Sequence, residues 1–64
     1  MKSDLIDVTM KIHHQTERAV FASDSGDVKH AVWLPLSQIE VLLRGDGTAE
    51  ITMPEWLARE RGLI

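Results

Sequence analysis

The stretch Lys29-His-Ala-Val-Trp-Leu-Pro-Leu-Ser-Gln-Ile-Glu-Val-Leu-Leu43 decides the architecture, because it reads as a strand, an enforced turn and a second strand. Pro35 cannot donate to a sheet ladder, so the first of these strands ends there. Leu36-Ser-Gln-Ile39 then makes one 3₁₀-like turn into Glu40–Leu43. Arg44-Gly-Asp-Gly-Thr48 is a tight reversal, and Ala49-Glu-Ile-Thr-Met53 is a further strand. Pro54 suits the first position of a helix, where its missing N–H would have no partner anyway. Glu55 in the first turn and Arg59 and Arg61 in the last complement the helix dipole, and Gly62 fits the left-handed position that closes the helix.

Upstream, Ile6, Val8, Met10 and Ile12 alternate with Asp7, Thr9, Lys11 and His13, which places four apolar side chains on one face of a strand. His14-Gln-Thr16 reads as the following turn. In Arg18–Ser23, Ala19 and Phe21 share one face and Val20 and Ala22 the other. Ser23-Asp-Ser-Gly-Asp27 is a turn, since Gly26 supplies positive φ and the Asp and Ser side chains bond local backbone. The expected fold is therefore mostly β: a small five-stranded antiparallel, partly open barrel, in the size class of SH3 and OB domains, with one short C-terminal helix. Its strands fall near 5–13, 18–23, 28–34, 39–43 and 49–53, and its helix near 54–61. The expected core is Ile6, Val8, Met10, Ile12, Phe21, Val32, Leu34, Ile39, Ile51, Trp56 and Leu57. Ala31 and Trp33 give the third strand a second apolar face. The helix is expected to cover it as a structural element held by Trp56 and Leu57, so that Trp56→Ala costs about 3–5 kcal/mol.

Sixty-four residues suffice for one domain, 1–64. A chain of this size buries only about 60% of the surface its unfolded form exposes, so its stability margin is thin. With no cysteine it has neither a disulfide nor a thiolate zinc site, which fits a reducing compartment. The formal net charge is −3, with the two signs interspersed, an ordinary surface rather than a basic face made for phosphates. No apolar run reaches the length of a membrane span, and Met1–Asp7 carries no signal-like apolar region, so the expected location is cytoplasmic with no membrane partner.

Chemistry is sparsely represented. His13 and His14 are adjacent, and in a regular strand they point to opposite faces, while His30 stands apart. The expectation is solvated histidines and no bound metal. Ser3, Ser23, Ser25 and Ser37 lie in turns or at the terminus, and Asp24, Asp27 and Asp46 lie in turns where Asp is chosen for backbone bonding. No nucleophile–base pairing is visible, so no enzyme activity, no catalytic residue and no cofactor are expected. Gly45-Asp-Gly47 leads into a strand and lacks a following Lys-Ser/Thr, so it is a hairpin turn and not a phosphate loop.

Two binding surfaces remain. Leu36, Val41, Leu42 and Leu43 are more apolar than one strand face needs, so they either cover the barrel end or form an interaction surface for a protein partner or a homodimer. Lys11, His13, Arg18 and Lys29, with Phe21, Trp33 and Trp56 as stacking groups, form the alternative, a nucleic-acid face.

The segments Ala31-Val-Trp-Leu-Pro-Leu-Ser-Gln-Ile-Glu40 and Ile51-Thr-Met-Pro-Glu-Trp-Leu-Ala58, ending Arg61-Gly-Leu-Ile64, resemble small uncharacterised proteins of bacteriophages and prophages. Those proteins carry a W-L-P-x-S-Q-I segment before an I-x-x-P-x-W-L-A helix start. The resemblance spans roughly the last half of the chain. It implies a phage or mobile-element origin and a host-cell cytoplasmic setting, and it assigns no binding residue. The expected function is a small non-catalytic binding module of phage or prophage type acting through a protein partner, modulation of a host protein or defence complex included. The alternative is a nucleic-acid accessory protein using the barrel face.

Overall fold

The alternating segment around Met10 becomes the central strand of the sheet. A computed structural model describes residues 4–64; Ser3 lies outside the described residues. The strands are β1 (Leu5–Gln15), β2 (Ala19–Ser23), β3 (Val32–Pro35), β4 (Glu40–Leu43) and β5 (Thr48–Pro54), followed by helix α1 (Glu55–Glu60). All neighbours are antiparallel, in the order β3-β2-β1-β5-β4. β1 is long enough to serve both wings: Leu5–Lys11 pairs with β5, and Lys11–Gln15 pairs with β2. The sheet does not close, so β3 and β4 are its edges, and the fold is the mostly β, partly open arrangement expected.

One face of the sheet carries the core. Met10, Val20, Ala22, Leu34, Ala49, Ile51 and Met53 are buried there, joined by Leu57 and Ala58 from α1. Ile6, Val8, Ile12, Val32, Ile39 and Val41 pack against this cluster while remaining partly exposed. Two expected core members are not in it. Phe21 is half-buried, because β2 turns Val20 and Ala22 inward and so must turn Phe21 outward. Trp56 is 53% exposed, because α1 presents the neighbouring Leu57 and Ala58 to the sheet instead.

The helix therefore does not cover Ala31 and Trp33. It lies on the core side, and Trp33 stays on the outer face, 45% exposed. Pro54 ends β5 with extended backbone (φ −64°, ψ 143°), so α1 starts one residue later than expected. Its C-terminus closes as the sequence indicates. Gly62 has φ +75°, its N–H donates to the Arg59 carbonyl at 3.2 Å, and the Leu63 N–H donates to the Ala58 carbonyl at 2.8 Å. This is a Schellman closure, and it returns Leu63 to the core.

Two local readings change. Val28–His30 is a 3₁₀ turn and not the start of β3, since the Asp27 carboxylate accepts from the Lys29 N–H at 2.9 Å and nucleates the turn. His14 and Gln15 continue β1. The reversal falls on residues 16–18, where the Thr16 hydroxyl accepts from the Ala19 N–H at 3.1 Å. No helix among the described residues is long and apolar enough to cross a membrane.

The β4–β5 reversal holds the Asp46 carboxyl at a shifted acidity. The Thr48 hydroxyl and the Thr48 backbone N–H both donate to the Asp46 carboxylate, holding its pKa below the ordinary aspartate value. A depressed folded pKa favours the folded turn at pH above about 3.9, and that contribution is lost as pH falls through the lower folded value. An NMR titration of the Asp46 carboxyl carbon should therefore give a midpoint below that of free aspartate. Thr48→Val should move it back up. A midpoint indifferent to Thr48→Val would show that the hydroxyl does not hold the carboxylate.

Candidate interaction surface

The register of β1 against β2 slips between Ile12 and His14. Ile12 pairs with Ala22 and His14 with Phe21, so His13 is the extra residue of a β-bulge. The bulge breaks the strict alternation that would send the two histidines to opposite faces. Both imidazoles instead lie beside the outward-facing aromatics, with His13 centred 6.3 Å from Phe21 and His14 centred 6.1 Å from Trp33. Phe21 and Trp33 are cross-strand partners of β2 and β3, and their rings lie 4.8 Å apart. The four rings make one aromatic patch on the outer face.

Two interactions hold the patch in place. His13 Nε2 and the buried Ser23 hydroxyl are hydrogen-bonded at 2.8 Å, which fixes the imidazole against β2. Behind Trp33, Arg61 Nε donates to the Trp33 carbonyl at 2.9 Å and ties the C-terminal segment to the β3 edge. The patch stands on paired strands, so little ordering entropy remains to be lost when something binds it.

The four candidate cations are not gathered on one face. Lys11 and His13 lie on β1 near the Ser23 end of β2, where Lys11 pairs with Ser23. Arg18 sits in the turn before Ala19, at the opposite end of β2. Lys29 is on the 3₁₀ turn next to Asp27. Lys11 is the strand lysine nearest the aromatic patch in the β1 register. The third histidine, His30, is on the 3₁₀ turn, its Nδ1 3.7 Å from the Asp27 carboxylate. Among the described residues no group of three or more His, Cys, Asp or Glu side chains is close enough to hold a metal ion.

The apolar quartet divides. Leu36 and Val41 are half-buried and pack against the core, whereas Leu42 and Leu43 are 63% and 68% exposed on the edge strand β4. A hollow of about 450 Å3 opens elsewhere, lined by Asp24, Ser25, His30, Arg61, Gly62 and Leu63. It joins the β2–β3 turn to the C-terminal segment, shares Arg61 with the Trp33 edge, and pairs no serine with a histidine by a hydrogen bond.

Neither a protein-family model, nor a curated protein, nor a solved structure matches the chain. The aromatic patch and the β4 edge are thus read from their own chemistry.

Sequence reasoning placed Phe21 and Trp33 among stacking groups but missed that His13 and His14 join them. The bulge has no glycine to announce it. The available signal was the length of the run Ile6–Gln15, whose polar residues at 13 to 15 no longer alternate with apolar ones.

Proposed function

We propose that this chain is a small non-catalytic binding module that acts on a protein partner through the outer aromatic patch. The observation that carries the reading is the Trp33–Phe21 pair across two strands, with Trp33 exposed and the half-buried Phe21 against it. Large aromatics held rigidly with an exposed face are the residues that dominate protein interfaces, since they remove much apolar area from water at little entropic cost. The flanking imidazoles add hydrogen-bonding groups at the rim, as interfaces require. With the phage-type resemblance of the C-terminal half, the partner is a protein of the host cell, a component of a defence complex included.

A second reading, nucleic-acid binding, draws on the same rings, because bases stack on exposed aromatics. Its weakness is electrostatic: Arg18 and Lys29 lie away from the patch and the net charge is −3.

One titration separates the readings. In a Trp56→Phe background, Trp33 fluorescence reports the patch alone. Single-stranded and duplex oligonucleotides should leave it unchanged at low and moderate salt. Captured host partner should be lost from Trp33→Ala, with binding weakened by about 2 kcal/mol or more, as for an aromatic hot spot. Quenching by oligonucleotide that falls steeply with salt would overturn the protein reading in favour of the second.

A further inference from the structure

The two edges of the open sheet are built differently. Leu36 N–H donates to the Arg18 carbonyl at 2.8 Å, which sets the parity of β3: Leu34 and Val32 face β2, while Trp33 and Pro35 direct their backbone to the free side. That edge is blocked. Pro35 has no N–H to offer, and the Trp33 carbonyl already accepts from Arg61. On β4, Arg44 N–H donates to the Thr48 carbonyl at 3.1 Å, so Leu42 and Glu40 face β5, and Val41 and Leu43 direct N–H and C=O to the free side. No backbone bond of Val41 or Leu43 is made on that side among the described residues. Leu42 and Leu43 are its exposed apolar side chains.

We propose that β4 pairs antiparallel with β4 of a second copy of this chain about a twofold axis at Leu42. The sequence Glu40-Val-Leu-Leu-Arg44 is self-complementary in that register and in no neighbouring one. Val41 faces Leu43 of the second copy, and both carry outward backbone groups, so each such pair exchanges its N–H···O=C bonds. Leu42 meets its own copy across the axis in a close, non-hydrogen-bonded pair on the outer face. Glu40 meets Arg44 of the second copy on that same face, once on each side of the axis. Centring on Val41 instead sets Leu42 against Glu40, and centring on Leu43 sets Val41 against Gly45. The charged ends therefore select both the partner and the register. Arg44 also lies 3.4 Å from Glu50 of its own chain, an exposed pair that leaves its other donors open to the second copy.

The contact is short, so the dimer belongs at the weak end of interface sizes, with a micromolar or weaker Kd. It extends the inner face, where Leu43 gains a cover, and it leaves the aromatic patches of both copies open. A bivalent module of this kind gains avidity for a partner that presents two sites. The dimer does not depend on what the patch binds.

Sedimentation equilibrium over a range of loading concentrations tests it, using the intact chain. The wild type should show a reversible monomer–dimer equilibrium. Arg44→Glu and Glu40→Arg should each weaken it about tenfold or more, since each replaces both cross-axis ion pairs by like charges. The double variant Glu40→Arg/Arg44→Glu should restore the wild-type Kd to within about threefold, because the swapped charges meet again about the axis. Leu43→Pro removes an outward N–H without touching the bonds to β5 and should abolish the dimer while circular dichroism stays native. A chain that stays monomeric up to about 1 mM overturns the proposal. So does a dimer that the single charge changes leave intact, or one that the double swap fails to rescue.

Discussion

Ile51→Ala should cost about 2–5 kcal/mol, the range for truncating a buried aliphatic side chain. Ile51 has no exposed surface, and it stands at the middle of the inner face, opposite Val8 on β1 and Val41 on β4. Its removal leaves a void bounded by strands on both sides and by α1 above, and sheet strands locked by ladder bonds relax little to fill it. A domain of this size is stabilised by only about 3–5 kcal/mol in total, so the variant should be substantially unfolded at 25 °C. Urea denaturation followed by circular dichroism measures it. Thr52→Ala, the next residue on the same strand but on the outer face, is the control: it loses the hydrogen bond its hydroxyl donates to the Asp7 carboxylate and should cost about 1 kcal/mol, well short of the Ile51 variant. Equal midpoints for the two variants would mean that the inner face is not the core.

The contrast between Ile51 and Thr52 was legible in the chain, because strict alternation names a face wherever one side is polar. The same logic gave Met10 and the partly buried Ile6, Val8 and Ile12 on β1. It failed on β2. Ala19–Ser23 is apolar on both faces, so alternation could not choose between them, and side-chain size favoured Phe21. The structure chose Val20 and Ala22 because the interior is narrow. Ala22, Ala49 and Ala58 are all fully buried in it, small side chains where a ring would overpack. Bulky rings sit outside, which leaves Phe21 half-buried beneath Trp33 and both tryptophans exposed.

The candidate surfaces were legible to a similar degree. Excess apolar character at Leu42 and Leu43 was visible, since one strand face needs less. What no local pattern revealed was strand order. Only with β3 and β4 known to be the edges does Pro35 become a block, and Val41 and Leu43 a free ladder. The histidine placement depended on the register slip at Ile12, a property of the β1–β2 pair rather than of either strand. Lys29 was assigned to a strand because the Asp27 cap, which pulls residues 28–30 into a 3₁₀ turn, competes locally with sheet pairing.

The helix gives the sharpest reversal between sequence and structure. Leu57→Ala should cost about 2–5 kcal/mol, whereas Trp56→Ala should cost about 1 kcal/mol or less despite removing a far larger side chain. Leu57 is buried in the core cluster, and Trp56 leaves more than half its surface in water. A helix of six residues has no stability in isolation, so it exists only through its tertiary contacts. Those contacts include Leu57 and Ala58 on the sheet, Leu63 returned to the core, Arg61 on the Trp33 carbonyl, and the Glu55 N–H donating to the Asp4 carbonyl. Leu57→Ala weakens the anchor on which the others depend. Its effect should spread to β3, whose blocked edge relies on Arg61 staying in place. Thermal melts of the two variants rank them directly. Hydrogen exchange should show faster opening of the Arg61 and Leu63 amides in Leu57→Ala than in Trp56→Ala, since both donate to carbonyls of α1. If Trp56→Ala proves the more damaging of the two, the helix is held by its tryptophan and the packing described for α1 is wrong.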